Sequence, residues 1–157
     1  MTQLADVRRT IDVAVDPADA FELFTEIDAW WRPGQHSFVD PARAVGVRME
    51  PGAGGRWLEV WDTATGSGYE RGRIIAWEPP RRMLFEFRDP RLPADPLTEI
   101  EVRFDPSPGG TTVTLQHRGW DRLPPAVVAR YVSSRIWGGL VSWYADYVAR
   151  RSSGPSS

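Results

Sequence analysis

Gly-Gly-Arg-Trp-Leu-Glu-Val-Trp at residues 54–61 and Gly-Arg-Ile-Ile-Ala-Trp-Glu-Pro-Pro-Arg-Arg at 72–82 read as strands on either side of a hairpin at Thr63–Gly68. β-Branched and aromatic residues bounded by Gly and Pro carry that reading. In a strand of period two, Trp57, Glu59 and Trp61 share one face. A carboxylate between two indoles, on the side such a strand turns inward, makes an unusual core. It points either to a shifted register or to a polar group aimed into an enclosed space, and a ligand cavity would account for the second.

Nearer the N-terminus, Ile11, Val13 and Val15 alternate in a first strand over Arg8–Val15. Asp16-Pro17 then opens a helix, with Asp as N-cap and Pro at the first helical position. Ala20, Phe21, Leu23 and Phe24 line that helix, and a second short helix around Ile27–Trp31 stops before Pro33-Gly34. The alternation is poor over Ser37–Glu50, which reads as a loop with a strand near Ala44–Glu50, or as a lid over a cavity. Pro51-Gly-Ala-Gly-Gly55 is a turn. Met83, Phe85 and Phe87 alternate with Leu84, Glu86 and Arg88, and the first set is expected to face inward. Asp89–Pro96, with three prolines, reads as a long exposed loop. Thr98–Phe104 and Thr111–Arg118 form a meander around Pro106–Gly110. Beyond Pro125, apolar residues recur at helical spacing through Tyr144 and Val148 to about Arg150, which predicts one long helix covering the sheet.

Trp30-Trp31, Gly54–Glu59, Gly72-Arg73, Trp77–Arg82, His117-Arg-Gly-Trp120 and Trp137-Gly-Gly-Leu140 together resemble the SRPBCC (START-like) superfamily, in the branch homologous to the activator of the heat-shock ATPase. The resemblance implies an α+β helix-grip fold: a curved antiparallel sheet wrapped around a long C-terminal helix, with two short helices after the first strand and a cavity between sheet and helix. One domain over 7–151 and a disordered tail over 152–157 are expected. The resemblance carries no single chemistry.

Composition narrows the chemistry further. With 19 basic against 21 acidic residues the formal charge is −2, so neither nucleic acid nor an anionic membrane surface is an expected partner. All the basic residues are Arg, and Cys is absent. Schiff-base lysines, P-loop lysines, thiolate nucleophiles and disulfides are therefore excluded. No run of about 18 apolar residues reads as a membrane span, and the chain reads as cytoplasmic. A homodimer is compatible with the sequence.

His117 lies on the inward face of its strand with Val113 and Leu115. A lone core histidine ordinarily donates to a backbone carbonyl, and contact with a ligand is the competing reading. If Glu59 lay across a cavity, the two could hold a ligand hydroxyl or carbonyl, or shuttle a proton. His36 falls where the family implies a cavity wall, although an exposed loop histidine is the plainer reading. No ligand pair has metal-type spacing, and no metal or cofactor is expected. Eight Trp are many for 157 residues and suit a flat aromatic ligand. Arg71, Arg73, Arg81, Arg82 and Arg88 are read as a solvated strand face partnered by Glu70 and Glu86. The candidate ligand-binding set is Trp31, His36, Trp57, Glu59, Trp61, Phe85, His117, Trp120, Trp137 and Tyr144, with no catalytic assignment. The expected function is binding of a small, largely apolar, aromatic molecule in an internal cavity. An enzyme of cyclase, dehydratase or hydrolase type using Glu59 and His117 is the alternative, and a chaperone-interaction module ranks last.

Overall fold

The computed structural model describes residues 7–32, 39–90, 92–132 and 136–152, with the side chains of residues 130–140 outside that description. His36 and residues 153–157 therefore lie outside the described residues, as does the junction 133–135 in the expected long helix.

The first described element is β1 (Val7–Val13), which stops two residues short of the expected end because Val15 leaves the ladder and its carbonyl accepts from Thr111 Oγ1. Asp16 then caps α1 (Pro17–Thr25), accepting from the Asp19 N–H at 2.9 Å, with Pro17 in the first turn. α2 (Ile27–Trp30) follows at once and buries Ile27 and Trp30. Next come β2 (Gly46–Met49), β3 (Arg56–Asp62), β4 (Ser67–Glu78), β5 (Arg82–Phe87), β6 (Thr98–Ser107) and β7 (Gly110–Arg118). A 3-10 turn at Trp120–Arg122 leads to α3 (Pro125–Val132) and α4 (Ile136–Ser152). The helix thus reaches Ser152, the residue with which the tail was expected to start.

The seven strands among the described residues form one antiparallel sheet in the order β1-β7-β6-β5-β4-β3-β2. From β2 to β7 each strand pairs with its successor, so the link from β1 to β2 alone must cross from one edge to the other. That link contains α1 and α2, which is why these helices lie over the sheet and bury Ala20, Phe21, Phe24, Ile27 and Trp30 against it. The sheet curls where the register slips. β4 carries an extra residue at Arg71 against β3 and another at Ile75 against β5, and β3 carries one at Trp61. Such bulges bend a strand and increase its local twist.

α4 closes the layer through two phenols. Tyr144 Oη donates to the Ala20 carbonyl at 2.7 Å, and Tyr147 Oη donates to Glu26 Oε1 at 2.5 Å, so the last helix is hydrogen-bonded to the first. The Tyr144 ring lies 5.2 Å from Phe24 and 5.6 Å from Trp30, both edge-on. Burial of its hydroxyl pushes the Tyr144 pKa upward, so the group stays a neutral donor.

Two expectations change here. Arg71 is 1% exposed and does not sit on a solvated face, because the bulge at that position turns it inward. Asp89, expected in an exposed loop, is 4% exposed and ion-paired to Arg71. Arg73 and Arg88 do pair with Glu70 at the surface.

Tyr144→Phe keeps the ring contacts and removes one donor from a carbonyl already within a helix. Chemical denaturation is expected to show a loss of about 1 kcal/mol. A loss within error of zero would mean that the phenol does not hold α4 to α1.

Candidate functional site

The sheet register brings one set of apolar side chains to the inner face. Met49 pairs with Trp57, Phe85 with Ile100, and Val102 with Leu115. Phe24, Ile27, Trp30 and Trp31 come down on them from α1, α2 and the residue that follows. These ten residues line an interior cavity of about 20 Å³, far smaller than the hollow expected from the sequence. It is filled by edge-on aromatic packing: Trp31 lies 5.4 Å from Trp57 and 5.9 Å from Trp143, and Trp57 lies 6.1 Å from Phe85. Of the candidate residues, Trp31, Trp57 and Phe85 share this cavity. No polar side-chain atom of the described residues reaches its surface. Trp30 Nε1 donates to the Phe24 carbonyl at 3.2 Å, whereas Trp57 Nε1 is buried without a hydrogen-bond partner among the described residues.

Glu59 faces inward as the alternation predicts and is 0% exposed, but it belongs to a polar cluster beside the cavity. Its carboxylate accepts from the backbone N–H groups of Val39 and Asp40, from Trp61 Nε1 at 2.9 Å and from Arg71 Nη1 at 3.5 Å. Arg71 Nη2 reaches Asp89 Oδ2 at 3.5 Å, and the guanidinium lies 5.5 Å from the ring centres of both Trp57 and Phe87. Trp61, expected in the core, sits half-buried at a bulge with the Arg43 guanidinium 5.1 Å from its ring. Gly72 lets β4 pass close to β5, since a Cβ there would stand 2.7 Å from the Glu86 carbonyl oxygen, while Trp57 Cε3 at 3.4 Å would be in ordinary contact.

His117 lies on β7, with three strands between it and Glu59 on β3, so the two do not form the acid-base pair considered from the sequence. Its Nε2 shares a 2.7 Å hydrogen bond with Thr98 Oγ1, and its ring packs 4.9 Å from Phe87 and 4.3 Å from Trp120. Trp120 Nε1 donates to the His117 carbonyl. Burial holds the His117 pKa down to about 3, so the ring is neutral at physiological pH. Tyr144 belongs to the helix clamp already described. Trp137 is on α4 with its side chain outside the described residues.

Arg71 and Asp89 were missed from the sequence. A buried carboxylate at position 59 calls for a cation on the neighbouring strand, which was a usable signal. The bulge that selects Arg71 for that role has no sequence signature of its own. Among the described residues, no group of three or more His, Asp or Glu could hold a metal ion, and no helix is long and apolar enough to cross a membrane. A wider groove of about 590 Å³ lies between α2 and the edge strand β2, with Glu26, Asp28, Val45 and Arg48 among its walls.

The family described as Activator of Hsp90 ATPase homolog 1-like protein matches residues 14–138. No curated protein matches the chain. Among solved structures, an anthrahydroquino-γ-pyrone synthase is 30% identical, with 92% of this chain and 97% of that one covered and a TM-score of 0.59. A self-sacrificing resistance protein from Micromonospora echinospora is 24% identical over 96% of this chain and 97% of that one, with a TM-score of 0.67. A Nitrosomonas europaea protein, 16% identical over 96% and 99% of the two chains, also superposes at 0.67. The last two show the fold alone.

Arg71→Met leaves Glu59 and Asp89 buried without this guanidinium. Denaturant unfolding is expected to register a loss of about 3–5 kcal/mol, and a loss below about 1 kcal/mol would mean that the ion cluster is not holding the site. His117 supplies a separate test by pH. The folded ring stays neutral down to about pH 3 whereas the unfolded chain takes up the proton near the usual 6.5, so the unfolded state binds more protons between these values. Stability from this residue is fully present above about pH 6.5 and falls as pH drops, by about 1.5 kcal/mol on going to about pH 5. His117→Gln should flatten that part of the stability profile relative to wild type, and an unchanged slope would show that the buried ring is not its source.

Proposed function

We propose that this chain, which belongs to the Activator of Hsp90 ATPase homolog 1-like family, binds a small, largely apolar aromatic molecule on the inner face of its sheet. The observation that carries the reading is the composition of the cavity wall among the described residues: ten apolar residues, three of them indoles, with no charged or hydroxyl side chain. Ligand sites are mostly apolar, and flat rings are held by the edges and faces of aromatic side chains. Fused aromatic ligands are the favoured class, supported by the 30% identity to a synthase named for an anthrahydroquino-γ-pyrone.

Sites for such molecules measure roughly 300 Å³ or more, against about 20 Å³ between these walls. Binding therefore requires side chains to part, and the stability of the aromatic packing opposes entry. Affinity is set by how well packing against the ligand replaces the ring-on-ring packing that the protein gives up to admit it.

The same relative, named a synthase, favours a second reading, an enzyme of cyclase, dehydratase or hydrolase type acting on an aromatic molecule. Glu59, occupied by its donors, and His117, held neutral by burial, do not support an acid-base pair. A reaction here would draw on enclosure and orientation of the substrate.

A ligand that binds only the folded state stabilises it by about 2.7 kcal/mol at a free concentration one hundred times its Kd. Titration with a soluble anthraquinone is therefore expected to quench tryptophan fluorescence to a plateau and to raise the melting temperature in step. Linear, non-saturating quenching with no thermal shift would rule against an interior aromatic site.

A further inference from the structure

We propose that the groove between α2 and the edge strand β2 is the entrance to the inner cavity and the seat of the outer part of a bound ligand, with Met49 as the side chain that separates the two hollows. This rests on the reading of the cavity as an aromatic site and deepens it to a route of entry and a ligand shape.

Groove and cavity share a wall. Ile27 on α2 and Met49 on β2 line both the groove of about 590 Å³ and the cavity of about 20 Å³. Of the ten cavity residues among those described, nine are buried and Met49 is half-buried, so the wall is thinnest towards solvent at that side chain. An unbranched thioether with three rotatable bonds changes rotamer more readily than the rings and branched chains around it. On the same groove wall Val45 is 62% exposed.

The two edges of the sheet are closed unequally. α4 packs along β1, and Tyr144 and Tyr147 tie that helix to the Ala20 carbonyl and to Glu26. At the opposite edge β2 faces the four residues of α2, and among the described residues one hydrogen bond crosses the seam, from the Val47 N–H to Asp28 Oδ1 at 3.0 Å. Parting this seam breaks one hydrogen bond and turns one flexible side chain. Ligand sites measure roughly 300–1,000 Å³, a range that the groove meets and the cavity does not. A flat apolar end that passes Met49 contacts the aromatic wall, while the remainder lies among Glu26, Asp28, Arg48 and Thr63. The fitting shape is an elongated aromatic molecule with one polar end.

Stopped-flow quenching of tryptophan fluorescence by hydroxymethyl-anthraquinone reads the association rate. Met49→Ala, which removes the divider, is expected to raise that rate roughly ten-fold over wild type. Leu115→Ala enlarges the same cavity from β7, away from the groove, and should leave the rate within about two-fold of wild type. Val45→Trp fills the groove from an exposed position and should lower the rate roughly ten-fold with the melting temperature unchanged. An unchanged rate in Met49→Ala or in Val45→Trp, or equal acceleration in Leu115→Ala, overturns the entrance while leaving the aromatic site in place. Should Met49→Ala not fold, the Val45→Trp rate decides by itself. Absence of saturable quenching in wild type overturns both readings.

Discussion

The Arg71 guanidinium, buried between Glu59 and Asp89 and flanked by the rings of Trp57 and Phe87, is the interaction on which the inner face of this sheet depends. Burying a charge costs several kcal/mol unless partners replace its water. Here two carboxylates and two aromatic faces do so. The consequence reaches beyond electrostatics, because these groups come from β3, β4, β5 and the segment after β5. Glu59 extends the same cluster to the backbone of Val39 and Asp40, tying the return of the chain after α2 onto the sheet.

The cluster also bounds the apolar cavity on one side. Trp57 belongs to both, with Arg71 near one part of its ring and Trp31, Phe85 and the cavity around the rest. Its ring is therefore packed against the ion cluster and against the apolar wall alike. An apolar face held by a buried charge network keeps little conformational freedom. The small cavity volume is the counterpart of that rigidity, since well-packed aromatic walls leave little empty space.

The third arrangement, around His117, is of a different kind. Its ring lies between Phe87 and Trp120 and is hydrogen-bonded to Thr98, far across the sheet from Glu59. Burial without a compensating charge keeps it neutral, which makes it a structural group whose protonation destabilises the fold. Phe87 touches both His117 and the Arg71 guanidinium, so the two buried polar sites share one ring and are packed as a unit.

Local rules written into the chain settled much of this. Asp16-Pro17 starts α1 because a side-chain acceptor and a preset φ serve an orphaned helix end wherever they occur. Thr98–Phe104 alternates and is a strand, and the inward faces of Trp57, Glu59, Phe85 and His117 follow from period two alone. What the alternation could not carry was any count of residues across neighbouring strands. One extra residue at Arg71 changes which side chain meets Glu59, and that choice is made by pairing between β3 and β4. Likewise, Glu59 and His117 both point inward, but their separation depends on strand order, which turns a shared face into two distinct sites. Sequence by itself determined most of the elements, the faces of residues outside the bulges, and the family; the tertiary structure decided where the bulges fall and which inward groups meet, because contacts across a sheet arise from register and order, properties of pairs of strands and not of either one.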